Sequence, residues 1–251
     1  MGLYDSQSAE VRDLSGLHLY HFFMSNCSWR VRLALEEKGL DWTSHHLNLA
    51  LNEHVTASYQ AINPNGVVPT LVHDGQVIIE SNDILLYLEE KFPEPALVPS
   101  AARDQDGMGH WIERAGAIQG TIKSLSHELL FRRFRKVGPE DVAFLAEHHS
   151  NRELVEFMRD YSEEGAAWTS RVERAQLEMR NVLSELESFL ADHAWLSGET
   201  YGLADISWVV NAHRLVQAQY ALDAYPKLLS WHERVTQRPA FDRAVLSYQP
   251  G

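Results

Sequence analysis

One cysteine, Cys27, stands in a chain of 251 residues, which excludes an intrachain disulfide. No run approaches the roughly eighteen apolar residues that a membrane span needs. Basic residues are scarce: 22 Lys and Arg face 35 Asp and Glu, a formal net charge of -13. A nucleic-acid partner is therefore not expected, because phosphates have to be neutralised by Lys and Arg. Metal-ligand spacing is missing too. The thirteen histidines are scattered, and His45-His46 and His148-His149 are adjacent pairs, not ligands one helical turn apart, so no metal site is expected. Internal repeats and low-complexity tracts are absent. Residues 1–16 carry several charges where a secretory peptide would be apolar, and they are expected to form a poorly ordered extension. With a lone cysteine and no such peptide, the cytoplasm is the simplest compartment.

What is present is enough apolar material, 45% of residues, to bury one large core or two small ones. "LHLYHFF" (17–23) suits a buried strand, and "WRVRLALEEKG" continues as a helix with apolar Val31, Leu33, Ala34 and Leu35 and a stop at Gly39. "DWTSHHLNL" suits a second strand, and "NEHVTASYQAI" a short helix or turn. "VVPTLV" and "QVII" flank His73-Asp74-Gly75, and Asp-Gly between apolar runs is a strong hairpin signal. "SNDILLYLEEKFP" then offers Ser81 as an N-cap, with Ile84, Leu85 and Leu88 on one face and Pro93 and Pro95 as stops. From Ala101 onward, long amphipathic helical patterns replace the β-rich runs. The expected architecture is an α/β domain over 17–94, a stiff proline-bearing linker over 95–102, and an all-α bundle over 103–251.

Three short stretches carry chemistry. "MSNCS" puts Ser25, Asn26, Cys27 and Ser28 at a helix start, where capping alone would explain the serines. Cys27 could equally be a small buried packing residue. Pro69 cannot donate to a ladder, so it should stand at a strand edge or start, leaving the Val68 amide and carbonyl able to pair with an extended peptide ligand. Glu80-Ser81 opens a helix, where a free amide and a hydroxyl make a carboxylate site.

The order β-α-β-α, "NPNGVVPTL", hairpin, "ESNDILLYLEEKFP", then a helical half resembles the cytosolic glutathione transferase family from about Leu17 onward. The resemblance implies a thioredoxin-like N-terminal domain that binds glutathione and an all-α C-terminal helical bundle that supplies an electrophile pocket. It implies that Val68, beside Pro69, pairs with the cysteinyl part of glutathione, that Glu80 and Ser81 hold the γ-glutamyl end, and that His54 reaches the glycyl carboxylate. "SNCSWRVRLAL" is similar to the zeta-class signature, with Asn26 replacing its second serine. Ser25 or Asn26 would then stabilise the glutathione thiolate, with Cys27 as a reactive thiol nearby. Met24, Trp111 and Trp208 are candidates for the substrate pocket, with Trp168 and Tyr220 as further aromatics in helices. "WLSGETYGLADISW" resembles the family's helix-start box with Gly202 in the Ser/Thr position, which makes Asp205 a folding residue.

"TIKSLSHELLF" and "LADHAWLSGETYGLADISW" resemble segments of bacterial lignin β-aryl etherases. The function expected is a glutathione transferase whose bound thiolate attacks an electrophilic carbon of a hydrophobic aromatic substrate, with β-aryl ether cleavage as its specific form. Two alternatives stand beside it: a zeta-like maleylacetoacetate cis-trans isomerase, in which Arg30 or Arg32 would hold the diacid, and a non-catalytic binding protein on the same fold. The partners implied are glutathione, a small electrophile and a second subunit, identical or not. The basic run Arg132, Arg133, Arg135 and Lys136, in a segment longer than a zeta enzyme needs, is expected to be a solvated helix end.

Overall fold

Five strands form one mixed sheet in the computed structural model, which describes residues 2–6, 8–134 and 136–248. The strands are β1 (Leu3–Tyr4), β2 (Leu17–His21), β3 (Thr43–His46), β4 (Thr70–His73) and β5 (Gln76–Ile79), in the order β1-β5-β4-β2-β3. β2 runs parallel to β3 and antiparallel to β4, and β4 and β5 form a hairpin. Asp74 and Gly75 turn that hairpin, both at positive φ (49° and 79°), as a two-residue type I′ connection requires. Helices α1 (Asn26–Glu37), α2 (Ala57–Ile62) and α3 (Ser81–Lys91) complete the α/β layer. The apolar positions read as α1's inner face, Val31, Leu33, Ala34 and Leu35, have no solvent exposure.

Within residues 1–16, the described ones, 2–6 and 8–16, are not the loose extension expected. β1 pairs antiparallel with β5, Val11 lies in the core with Tyr59, Ile62, Val72 and Val77, and Ser6 Oγ donates to the Ala61 carbonyl at 2.9 Å. α3 also differs from expectation by one residue. Its N-cap is Glu80, at φ 66° and ψ 114°, and Ser81 is the first helical residue.

The remaining long helices are α4 (Ala102–Ala117), α5 (Gln119–Leu129), α6 (Pro139–His148), α7 (Arg152–Glu163), α8 (Ala166–Asp192), α9 (Leu203–Gln217) and α10 (Pro226–Thr236). The chain divides into two compact units. One comprises Met1–Pro95, Ala143–Val155 and Pro239–Gly251; the other comprises Ala96–Val142 and Glu156–Arg238. The sheet's unit thus recruits two pieces of chain from beyond residue 103. Among the described residues no helix is long and apolar enough to cross a membrane, and no three His, Cys, Asp or Glu side chains cluster as metal ligands would.

In the helical unit Asp205 is fully buried and accepts from the amides of Leu196, Ser197 and Gly202 and from the Trp231 indole. Burial pushes its carboxyl above the usual carboxylate range, and the Trp231 indole and the Leu196 and Gly202 amides offset part of that rise. The half-cap left by Gly202 is made good by Ser197, whose Oγ accepts from the Ala204 amide at 3.1 Å. A side chain at 202 is excluded, because a Cβ there would lie 2.4 Å from the Leu97 carbonyl oxygen.

Arg132 is not a solvated helix end. It pairs with Glu128 and Glu164, each at 2.8 Å, and its guanidinium lies over the rings of Tyr161 and Trp168. Arg133 donates to Gln219, Lys136 is exposed, and Arg135 lies outside the described residues.

Candidate functional site

Three segments meet at one end of the sheet because of its register. β2 leaves the sheet toward Ser25, and β4, antiparallel to it, enters with Thr70 opposite Tyr20. Val68 lies two residues before that pair, so it falls beside the β2–α1 loop, and neither ladder uses its amide or carbonyl. β5 leaves with Ile79 opposite Thr70, which brings Glu80 and Ser81 to the same end. The Val68-Pro69 peptide bond is cis.

Ser25 caps α1: its Oγ accepts from the Ser28 amide at 3.3 Å. A hydroxyl that accepts through one lone pair still carries its proton, so capping leaves Ser25 able to donate to an anion at the helix's positive end. Asn26 and Cys27 form the first turn of α1, and Met24 to Cys27 are all half-buried. Ser28 is fully buried, and its Oγ accepts from the Phe22 amide at 3.3 Å, which ties the helix to the strand before it.

The two arginines of "WRVR" are both buried. Arg30 Nη1 donates to Ser81 Oγ at 2.7 Å. Burial pulls its guanidinium below the usual arginine range, and negative charge at the nearby Cys27 would oppose that. Arg32 donates to the carbonyls of Ala244 and Phe23 and to His21 Nδ1, with the Tyr248 ring 4.1 Å from the guanidinium carbon. Burial and the Arg32 charge hold His21 neutral, its pKa down at about 3. Both guanidiniums, the alternatives expected to hold a diacid, are buried and donate to groups of the protein itself.

His54 sits on a short 3-10 turn, Glu53–Val55, and is 9% exposed. Burial first, then the His149 ring, lowers its pKa to about 4. Its Nδ1 is shut away from solvent without a partner, and among the described residues neither ring nitrogen makes a hydrogen bond, which leaves Nε2 as the nitrogen a ligand can reach.

Trp111 and Trp208, expected at a substrate pocket, and Trp168 are instead buried packing residues of the helical unit. Trp208 Nε1 donates to the Trp111 carbonyl at 2.7 Å, their rings meet edge to face, and they are 2% and 4% exposed. Trp168 donates to Glu128 and packs on Phe157 and Tyr161. Tyr220 is not helical; it follows the end of α9. Sequence reasoning missed the bracing roles of Arg30, Arg32 and Ser28. The available signal was two arginines, two residues apart, set among Trp29, Val31, Leu33, Ala34 and Leu35.

The family model for the glutathione S-transferase N-terminal domain matches residues 19–96, and that for the C-terminal domain matches residues 169–234. A maleylacetoacetate isomerase of Pseudomonas aeruginosa is 30% identical over 239 residues, 93% of this chain and 98% of that protein. A zeta-class glutathione S-transferase of Euphorbia esula is 30% identical over 246 residues, 97% of this chain and 96% of that one. Among solved structures, the β-etherase LigF of Sphingobium sp. strain SYK-6 superposes with a TM-score of 0.84 at 23% identity, covering 92% of this chain and 99% of that one.

Proposed function

We propose that this chain, which belongs to the glutathione S-transferase family, binds glutathione as co-substrate and uses its thiolate to attack an electrophilic carbon of an aromatic substrate. The observation that carries the reading is the convergence of Ser25, Val68 and Glu80-Ser81 at one end of the sheet. A peptide-like ligand laid along Val68 would pair as an added strand, its γ-glutamyl end toward Glu80 and Ser81, its sulfur toward Ser25, and its glycyl carboxylate toward His54.

The Ser25 hydroxyl, or the Asn26 amide next to it, would donate to the sulfur, and the positive end of α1 favours thiolate over thiol. The thiol proton goes to solvent. The sulfur–carbon bond forms as the carbon–oxygen bond of an aryl ether breaks, and a phenolate leaves with little need for a general acid. β-Aryl ether cleavage is the form favoured by the segments resembling the etherases. Isomerisation of a maleyl diacid is the second reading, supported by the Pseudomonas relative; the burial of Arg30 and Arg32 weighs against it. We place the reaction in the cytoplasm and the working protein as a dimer.

The test is an activity panel with glutathione and β-aryl ethers, chlorinated aromatics and maleyl compounds, with products read by mass spectrometry. Stoichiometric thioether is expected; turnover of maleyl compounds without glutathione consumption would select the isomerase. Loss of a hydrogen bond to a charged sulfur is worth roughly 1.5–3 kcal/mol. Ser25→Ala or Asn26→Ala should therefore lower kcat/KM about ten- to a hundredfold and raise the bound thiol's pKa. If both variants kept turnover and that pKa unchanged, the mechanism would be wrong.

A further inference from the structure

The turn between α6 and α7 lies a long way along the chain from the glutathione motifs, yet it packs directly against them. Gln60 Nε2, on α2, donates to the His148 carbonyl at 2.7 Å, and Ser150 Oγ donates to the Pro64 carbonyl at 2.5 Å. The His149 ring meets His54 edge to face, with centroids 5.8 Å apart. His149 is itself buried and oriented, because its Nδ1 accepts from the Asn151 amide at 3.1 Å. Gly66 makes room for it. A Cβ at Gly66 would lie 3.0 Å from His149 Cε1 and 3.3 Å from the His54 carbonyl oxygen, and the residue's φ of 57° favours glycine as well.

The residues gripped this way lead straight into the ligand-pairing segment. Pro64 and Gly66 precede Val67, whose carbonyl accepts from Tyr59 Oη at 2.6 Å and Asn63 Nδ2 at 3.0 Å. The turn therefore touches the 54–66 stretch at both ends: at His54, and at the loop before Val68. A ring as short of partners as His54's would be free to swing; the His149 edge fills the space beside it.

We infer that His149 and Ser150, in the α6–α7 turn, are positioning residues for the glycyl end of glutathione, holding His54 and the 63–67 loop where a carboxylate is received. The inference rests on the reading that His54 meets the glycyl carboxylate. It gives the long helical segment a role in choosing the thiol co-substrate. An imidazole kept neutral by burial recognises the carboxylate as a hydrogen-bond donor rather than as a charge, so its orientation matters more than its proximity.

The test compares glutathione with γ-glutamylcysteine, which lacks the glycyl residue, in the full-length protein. Wild type is expected to favour glutathione in kcat/KM by about tenfold, the effect of one buried hydrogen bond to a carboxylate. His149→Ala should cut that preference to a third or less by raising KM for glutathione, while kcat stays within about twofold and γ-glutamylcysteine is used as before. Ser150→Ala, which removes one side-chain bond and leaves the ring contact, should cut it less and serves as the readout if His149→Ala does not fold. An unchanged preference in the folded variants, or equal losses with both thiols, would overturn the inference. His54→Ala separates the two levels: if it retains the preference, the placement of the carboxylate at His54 is itself wrong. If only the turn variants retain it, that placement stands and the turn has no part in it.

Discussion

Arg30 Nη1 lies 2.7 Å from Ser81 Oγ, so the helix that opens with Ser25 is bonded to the one that opens at the proposed γ-glutamyl site. Both residues are buried, and Arg30 is 1% exposed. The bond fixes which way the Ser81 hydroxyl faces: with a lone pair occupied by the guanidinium, its own proton is left for a ligand carboxylate. A cation at the same place adds attraction for that carboxylate.

Replacing Arg30 with methionine keeps most of the stem's volume and removes the donor and the charge. The expected outcome is about tenfold weaker glutathione binding, the size of one charge-assisted hydrogen bond, measured by titration calorimetry. Arg30→Lys should recover only part of it, because an ammonium is a point charge without the planar fork. A dissociation constant within twofold of wild type in Arg30→Met would show that the bond serves packing alone.

The division between what could and could not be read in the sequence follows distance along the chain. The β-α-β-α-β-β-α order from Leu17 was legible because each signal is local: the β-rich run "LHLYHFF", the Asp74-Gly75 turn, the Gly39 stop at φ 62°. β1 was not, since two residues carry no alternation and its charged surroundings read as solvent-facing. Ser81 as a cap was wrong by one place because Glu80 takes a positive φ, which residue type does not announce. The bonds that brace the site, Arg32 to Ala244 and Ser150 to Pro64, join residues far apart in the chain and leave no periodic trace. The candidate site's residues could be named from the sequence, but not the partners that orient them.

Arg32 supplies a second test. It is fully buried, and among the described residues it has no carboxylate partner, a placement that costs several kcal/mol unless its donors are satisfied. Two carbonyls, an imidazole and the Tyr248 ring do that, and one of those carbonyls belongs to Phe23, two residues before Ser25. Tyr248 is held in turn by contacts with Ser44 and His21, each at 3.1 Å from its hydroxyl. Tyr248→Ala should loosen the Ser25 loop and raise the bound thiol's pKa by about half a unit to one unit, while Tyr248→Phe, which keeps the ring over the guanidinium, should stay near wild type. Thiolate absorbance against pH reads both.

Asp205 should act on folding and not on the reaction. Asp205→Ala would strand three backbone amides and the Trp231 indole in a buried place. A loss of about 3–5 kcal/mol is expected, read as a lower urea midpoint, with KM for glutathione in the surviving folded fraction unchanged. A large KM effect at unchanged stability would contradict that role.

The buried histidines set the protein's behaviour in acid. Burial holds His54, His127, His213 and His232 down at about 4 and His21 at about 3, against 6.5 for an exposed imidazole. Below pH 6.5 the unfolded chain takes up protons at these positions while the folded chain does not, so stability is complete above that pH and falls as pH drops toward 4. Each histidine contributes up to about 1.4 kcal/mol per pH unit over that window. His213 and His232 are stacked with ring nitrogens 3.3 Å apart, and charge on one opposes charge on the other. Urea midpoints should therefore drop steeply from pH 7 to pH 5. His232→Phe, which removes one of the titrating groups and keeps the stacking partner, should flatten the slope by about one proton's worth. A wild-type midpoint independent of pH across that range would mean that these imidazoles ionise in the fold as they do in water.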